Sequence, residues 1–262
     1  MTLTMPRPPA VAGHFYPADP VKLSSEVRGL LAQVGPVEGA HPKALVVPHA
    51  GYVYSGPIAA SGYAHLRGSQ VTRVVLMGPA HRVYVQGMAT VSVDAFRTPL
   101  GDVPVDRAAL EAVADLPQVV VSDEAHRQEH SLEVHLPFLM ELLDDFSIVP
   151  FAVGGATPDE VAEVLERLWG GPETLIVISS DLSHHKDYET ASVMDAATTA
   201  AIEQLNPDGI GREDACGRIP IRGLLTVARR MGLEARTVDL RNSGDTAGHK
   251  HEVVGYGSWV LA

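Results

Sequence analysis

The stretch "TLIVISSDLSHHK", residues 174–186, decides the fold class of this chain. Its first half is an unbroken apolar run of strand length, which is typical of a parallel strand covered on both faces. Polar residues and histidines follow at once, from Asp181 onward. In open α/β sheets the ligand site lies beyond the carboxyl ends of the strands. We therefore predict a buried strand over 174–180 and a functional site where it ends.

Similar β-rich runs recur along the chain, and helical patterns lie between them. The other predicted strands are 43–48, 73–79, 88–93, 146–153, 234–240 and 253–261. The predicted helices are 55–67, 106–116, 125–143, 157–169, 187–205 and 219–232. This alternation predicts an α/β fold with a mainly parallel central sheet flanked by helices. We expect a hairpin insertion around 84–105, and a single domain over 1–262 because no linker divides the chain.

The composition excludes several classes of protein. Apolar residues make up 45% and charged residues 20%, as in a globular protein that is soluble. The net charge of -12 disfavours nucleic acid and anionic membrane as partners, since both need a basic face. A single cysteine excludes an intramolecular disulfide framework. No apolar run approaches the roughly 18 residues of a membrane span, and the N-terminus lacks a signal pattern, so we expect a cytoplasmic protein.

Histidines and a carboxylate follow three of the predicted strands. His49 follows 43–48, His81 follows 73–79, and Asp181 and His184 follow 174–180. Because parallel strands end at one edge of the sheet, we expect these side chains to meet in a cleft. For each histidine the structural alternative is a strand-end side chain bonded to the backbone.

The chemistry expected of such a cleft is metal binding or acid-base catalysis. Two histidines with one anionic ligand leave coordination positions open for oxygen or a substrate atom. His49 and His81 are the candidate metal ligands. His184 is the candidate general base, and Asp181 either orients a histidine or joins the metal ligands. The alternative for Asp181 is a helix cap.

Cys216 lies in "EDACGRIPIRGLL", residues 213–225, just before a predicted helix. A helix N-terminus and the neighbouring Arg212 and Arg218 should favour its thiolate, which is both a metal ligand and a nucleophile. A buried, inert thiol is the alternative.

A second motif indicates a different metal site. The stretch "HRQEH", residues 126–130, has the H-x-x-E-H spacing of a zinc peptidase, although so short a pattern often occurs by chance. A helix face that lines a cleft or faces solvent is the favoured interpretation. The chain has no G-x-G-x-x-G, Walker, G-x-S-x-G or C-x-x-C motif, which disfavours nucleotide-binding and serine-hydrolase functions.

Six ordered motifs together resemble one family. They are "RPPAVAGHFYPADPVKL" (7–23), "VVPHAGYVYSGPIAA" (46–60), "LMGPAHRVY" (76–84), "EHSLEVHLPFL" (129–139), "ISSDLSHH" (178–185) and "CGRIPIRGLL" (216–225). The chain is similar to the Memo family, known in bacteria as the B component of the AmmeMemoRadiSam group. That resemblance implies a fold like that of the class III extradiol dioxygenases, which are non-haem iron enzymes.

The resemblance also implies roles for particular residues. It makes His49, His81 and Cys216 the metal-binding triad, and it puts His184, with Asp181 beside it, at the acid-base position. The dioxygenases have a glutamate where this chain has the cysteine, so their ring cleavage cannot be assumed. Iron(II) is the first choice of metal, with copper or zinc as alternatives favoured by a thiolate.

Three functions follow from these residues. The first is a redox metalloenzyme that acts on an unknown small substrate. The second is a non-catalytic module that binds a peptide or partner protein in the same cleft, as the family's link to phosphotyrosine peptides suggests. The third makes Cys216 a catalytic nucleophile paired with a histidine. A strand near the C-terminus could form the edge of the sheet and pair with a second copy of the chain, so a homo-oligomer is a further prediction.

Overall fold

The structure is a computed structural model that describes residues 5–39 and 41–262. Strands within these ranges are β1 (Ala44–Val47), β2 (Arg73–Pro79), β3 (Met88–Thr90), β4 (Ala95–Thr98), β5 (Gly101–Pro104), β6 (Val119–Val121), β7 (Ser147–Val153), β8 (Thr174–Ser179), β9 (His184–Lys186), β10 (Ala235–Asn242) and β11 (Val253–Leu261). The helices are α1 (Pro20–Gln33), α2 (Tyr52–Tyr63), α3 (Arg107–Glu111), α4 (Asp123–Arg127), α5 (Leu136–Leu142), α6 (Pro158–Arg167), α7 (Tyr188–Glu203) and α8 (Arg218–Met231).

The main sheet has a parallel centre. Its strand order is β10-β11-β1-β8-β2-β7-β3-β6, and β9 pairs with β11 beside this order. Strands β1, β8, β2 and β7 are parallel to one another, whereas β11 runs antiparallel to β1. The predicted α/β fold with a mainly parallel sheet flanked by helices is confirmed. Since the four central strands share a direction, the residues that follow β1, β2 and β8 lie at one edge.

The predicted strands and most predicted helices are present. The central strands β1, β2 and β8 are apolar and buried apart from Arg73 at the start of β2, as their apolar runs predict. The expected hairpin is β4 paired with β5. The predicted elements do not include α1, β6 or β9. Helix α1 nevertheless carries a standard N-terminal signal, because Asp19 caps it and proline follows at its first position.

The predicted helix over 125–143 is wrong as one continuous element. Helix α4 ends at Arg127, a turn follows, and a 3₁₀ turn over Glu133–His135 leads into α5. Pro137 lies in the first turn of α5, where its missing N–H costs no hydrogen bond. This interruption turns residues 128–132 toward the sheet edge.

The helices pack on the sheet and on one another in groups. Helix α1 contacts α2 and α5, α6 contacts α8, and α7 contacts β10 and β11. The predicted N-terminus of α6 is confirmed: Thr157 and Glu160 form a reciprocal capping box. Large side chains such as Trp259, Phe138 and Phe151 fill the core without solvent exposure.

Candidate metal centre

Three imidazoles meet at the carboxyl edge of the central strands. His49 follows β1, His81 follows β2, and His130 comes from the turn after α4. Each offers one nitrogen, and these three atoms all lie within 4.8 Å of one another. The ring centroids of His81 and His130 are 4.8 Å apart, and that of His49 is 5.2 Å from His81 and 5.4 Å from His130.

Hydrogen bonds fix the orientation of the His49 ring. Its Nδ1 is 2.6 Å from Ser179 Oγ, and that hydroxyl donates to the carbonyl of Ser131. Because the hydroxyl proton of Ser179 is donated to Ser131, Ser179 Oγ must accept the hydrogen of His49 Nδ1. The proton of His49 is therefore on Nδ1, and the lone pair of Nε2 is available. Burial, followed by the nearby His81 and His130, holds the pKa of His49 well below its usual range. The ring is neutral, which is the form that binds a metal.

A buried carboxylate orients His81 in the same way. Glu129 Oε1 is 2.9 Å from His81 Nδ1, and Oε2 accepts the backbone N–H of His81 at 2.5 Å. Burial raises the pKa of Glu129, but hydrogen bonds from His81 and from the backbone N–H of Ser131 outweigh it and lower the pKa to about 2. The ionised carboxylate accepts from Nδ1–H, so His81 also offers Nε2.

His130 completes the group from a different element. Its Nδ1 is buried and has no hydrogen-bond partner among the residues that the structure describes; Glu129 Oε1 lies 3.4 Å away. Burial lowers the pKa of His130 as well. A half-buried, neutral imidazole with an unsatisfied buried nitrogen beside two oriented imidazoles fits a transition-metal ion.

Asp181 and Cys216 adjoin His49. Asp181 Oδ1 accepts the backbone N–H of His49 at 2.8 Å, and Oδ2 is 3.9 Å from His49 Nε2. The Sγ atom of Cys216 lies 3.4 Å from His49 Nε2 and accepts the N–H of Asp181 at 3.3 Å. Cys216 therefore reaches one imidazole of the group but does not belong to the set whose atoms are all within 4.8 Å.

The expected thiolate character of Cys216 is wrong for the metal-free protein. Burial, followed by the charge of Asp181, raises the pKa of the Cys216 thiol to about 12. The predicted influence of Arg212 and Arg218 is outweighed because a desolvated thiol beside a carboxylate resists ionisation. Burial also raises the pKa of Asp181.

His184, the candidate general base, lies on β9. Its Nδ1 is 2.8 Å from the carbonyl of Leu182, which accepts its hydrogen and leaves Nε2 available. Together with His81 and Cys216 it lines a cleft of about 490 Å³. Lys186 and Arg212 lie on the wall of the same cleft.

The zinc-peptidase interpretation of "HRQEH" is wrong, although two of its residues belong to the site. His126 is on α4 and His130 beyond its end, and His126 Nε2 is bonded to the carbonyl of Ala89 at 2.7 Å. Glu129 and His130 follow a helix rather than a strand, so the strand-end rule does not find them. In the sequence, Glu129 and His130 are indicated only by the short motif "HRQEH".

Fold and site together define the class: an α/β protein with a three-histidine group able to bind a metal ion at the carboxyl edge of its parallel strands. The chain belongs to the Memo family, because the sequence model for the Memo-like protein family matches residues 7–260. The predicted family is thus confirmed.

Relatives match over nearly the whole chain. MEMO1 family proteins of Sulfolobus acidocaldarius, Aeropyrum pernix and Aquifex aeolicus are 36%, 38% and 37% identical to it. The Sulfolobus match covers 96% of this chain and 98% of the relative, and the other two each cover 95% and 97%.

A solved structure shares the fold. The crystal structure of an uncharacterized protein from Escherichia coli K12 has a TM-score of 0.50 and 13% identity, covering 82% of this chain and 98% of that one. At this level of identity the match shows a shared fold only. Within residues 5–39 and 41–262, no helix is both long and apolar enough to cross a membrane.

Proposed function

We propose that this Memo-family protein is a metal-dependent oxidoreductase whose ion is held by His49, His81 and Cys216. The observation that carries the proposal is the pair of imidazoles of His49 and His81, each oriented through a hydrogen bond at Nδ1 so that Nε2 is available. Such orienting bonds are characteristic of metal-binding histidines. Iron(II) is the first choice, and copper or zinc are the alternatives.

His130 is proposed as an additional ligand. It is supported by its short approach to both other imidazoles and by its unsatisfied nitrogen. Cys216 is supported by its 3.4 Å distance from His49 Nε2 and by the family resemblance. The raised pKa of the thiol does not exclude this role, because a thiol that coordinates a metal is deprotonated. The thiolate of Cys216 is a softer ligand than the imidazole of His130. Which of the two binds the ion therefore influences which metal is preferred.

Other residues of the cleft serve the reaction. An iron or copper ion would supply redox chemistry with dioxygen toward a small substrate in the cleft. His184, whose Nδ1 is held by the carbonyl of Leu182 so that Nε2 can face a substrate, accepts or returns a substrate proton. Asp181 keeps the backbone of His49 in place through its 2.8 Å hydrogen bond.

The second candidate function is a non-catalytic peptide-binding or protein-binding module. The observation that favours it is the cationic side chain of Arg212 on the cleft wall of a chain with net charge -12. Lys186 lies on the same wall but forms an ion pair of 3.2 Å with Glu213, which also lines the cleft. Saturable binding of phosphorylated peptides by metal-free protein, lost on Arg212→Gln, is the expected result for this module. No saturable binding in a peptide panel would count against it.

The metal proposal is tested by metal content. Protein purified without affinity metal is loaded anaerobically with iron(II), copper(I) or zinc and analysed by mass spectrometry. We expect one ion per chain in the wild type and its loss in His49→Ala and His81→Ala. The matched control is His41→Ala, an exposed histidine at the opposite edge of the sheet.

Two further variants resolve the other ligands. Cys216→Ala and His130→Ala should each weaken retention of the ion, and the larger loss identifies the stronger ligand. Oxygen uptake with catechol-like substrates then tests the redox activity. If no metal is retained after any loading, the metal site is refuted, and retention without oxygen uptake on any substrate would argue against the oxidoreductase.

A further inference from the structure

The N-terminal segment reaches the metal centre through one buried arginine. Arg7 is only 4% exposed. Its Nε donates to the carbonyl of His126 at 2.7 Å, its Nη2 to the carbonyl of Glu129 at 2.5 Å, and its Nη1 to Glu133 Oε2 at 2.5 Å. One planar guanidinium thus ties together both ends of the segment 126–133.

Glu133, the carboxylate that Arg7 binds, also contacts the N-terminal segment. It is fully buried, and its two oxygens accept the backbone N–H groups of Ala10 and Val11 at 2.7 and 3.0 Å. The hydroxyl of Tyr16 donates to Glu133 Oε1 at 2.6 Å. The buried carboxylate is therefore both paired and hydrogen-bonded, as a buried charge requires.

The segment held in this way carries two residues of the metal centre. Glu129, whose carbonyl Arg7 binds, is the carboxylate that orients His81. His130 is the next residue, and the ring of Phe15 packs against it with centroids 4.9 Å apart. The carbonyl of Phe15 in turn accepts the N–H of Tyr52 at 2.8 Å. Tyr52 follows shortly after His49 in the chain.

We propose that Arg7, Glu133 and Tyr16, here called the N-terminal clamp, are positioning residues that set the ligand geometry of the metal centre. The inference rests on the proposed function. Replacing a buried ion pair by apolar residues is often neutral for stability. What the clamp adds is directed hydrogen bonds at fixed points of the segment 126–133, from which Glu129 and His130 project.

Cobalt(II) is the probe, because its visible absorption reports ligand geometry apart from any activity. The variants are Arg7→Lys, which keeps the charge but not the planar fork, and Tyr16→Phe, which removes one hydrogen bond to Glu133. The control is Arg73→Lys. Arg73 lies at the amino end of β2, and its Nε is 2.7 Å from Asp106 Oδ2. Chelator competition gives Kd, and thermal melting of the metal-free proteins gives stability.

We expect Arg7→Lys to weaken cobalt binding 10- to 100-fold and to shift the absorption bands, as loss of residues that orient ligands does. Tyr16→Phe should shift the bands in the same direction by less, and Arg73→Lys should change neither quantity. If Arg7→Lys does not fold, the cobalt Kd and absorption bands of Tyr16→Phe test the proposal. Unchanged bands and Kd in the folded clamp variants overturn the clamp alone, whereas a wild type that binds no cobalt overturns the proposed metal site and the clamp with it.

Discussion

At the scale of single residues, the candidate metal centre takes its side chains from two kinds of position, the ends of buried strands and the turn after α4. His49 and His81 follow apolar strands, so the rule that ligands gather at strand ends finds them. His130 and Glu129 follow a helix, and their position depends on a buried arginine more than 110 residues away in the chain. No local pattern encodes such a contact, so the sequence indicates these residues only through a short motif.

Glu129 provides the sharpest prediction at this scale. Glu129→Gln should weaken metal affinity by about 10- to 100-fold, because an amide cannot accept all the N–H groups that the carboxylate accepts from His81 and its neighbours. Chelator competition with zinc measures the change. Glu124→Gln, an exposed acid in the same region, is the matched control. Equal affinity in the two variants would mean that Glu129 does not orient His81.

At the scale of elements, apolar runs predict the central strands because those strands are buried on both faces. Strand β6 is a run of only three valines and β9 is polar, so neither has the long apolar run that identifies the central strands. The helix over 125–143 is mispredicted because its apolar spacing continues through the turn that tertiary contacts impose. The signals for α1, Asp19 and Pro20 followed by Leu23, Val27 and Leu31, are present in the sequence.

Contact between α6 and α8 depends on a glycine. A Cβ at Gly223 would lie 2.4 Å from Val161 Cγ1 and 3.1 Å from the carbonyl of Pro158. Gly223→Ala should therefore separate the two helices and lower the free energy of unfolding by about 1–3 kcal/mol. Urea denaturation measures this change.

The matched control for that substitution is Gly29→Ala. Gly29 is an exposed residue inside α1 whose added Cβ would meet nothing within 4 Å. Alanine there should raise the free energy of unfolding by about 0.5–1 kcal/mol, because it restricts the unfolded chain. If both variants change stability in the same direction, close packing at Gly223 is not the determining factor.

At the scale of the whole molecule, the alternation of strands and helices predicts the fold class, and the six motifs predict the family. Both are confirmed. A single domain over 1–262, a cytoplasmic location and a homo-oligomer stay predictions. Sequence periodicity reports which face of an element is buried, but it does not report how elements that are distant in the chain meet.

Global stability should fall in acid because of a buried histidine. Burial lowers the pKa of His126 from 6.5 to about 4. Between these values the unfolded chain binds a proton that the folded protein does not, so stability is retained above pH 6.5 and decreases as the pH falls toward 4. The shift corresponds to about 3 kcal/mol.

Urea titrations of metal-free protein from pH 7 to pH 4 measure this loss. The free energy of unfolding of His126→Gln should decline less steeply than that of the wild type, by about 3 kcal/mol over the range. Both proteins share every other titrating group, so the difference isolates His126. Parallel pH curves would show that His126 does not contribute to the loss of stability in acid.

The place of β1 in the sheet constrains the order of events during biosynthesis. Both of its neighbours, β8 and β11, come from the second half of the chain, and Ala44 pairs with Leu261. A ribosome adding 5–20 residues per second takes about 10 to 40 s to cover the roughly 220 residues between them. The strand that carries His49 therefore completes its pairing only after β11 has been synthesised, and the candidate metal centre cannot be complete before then.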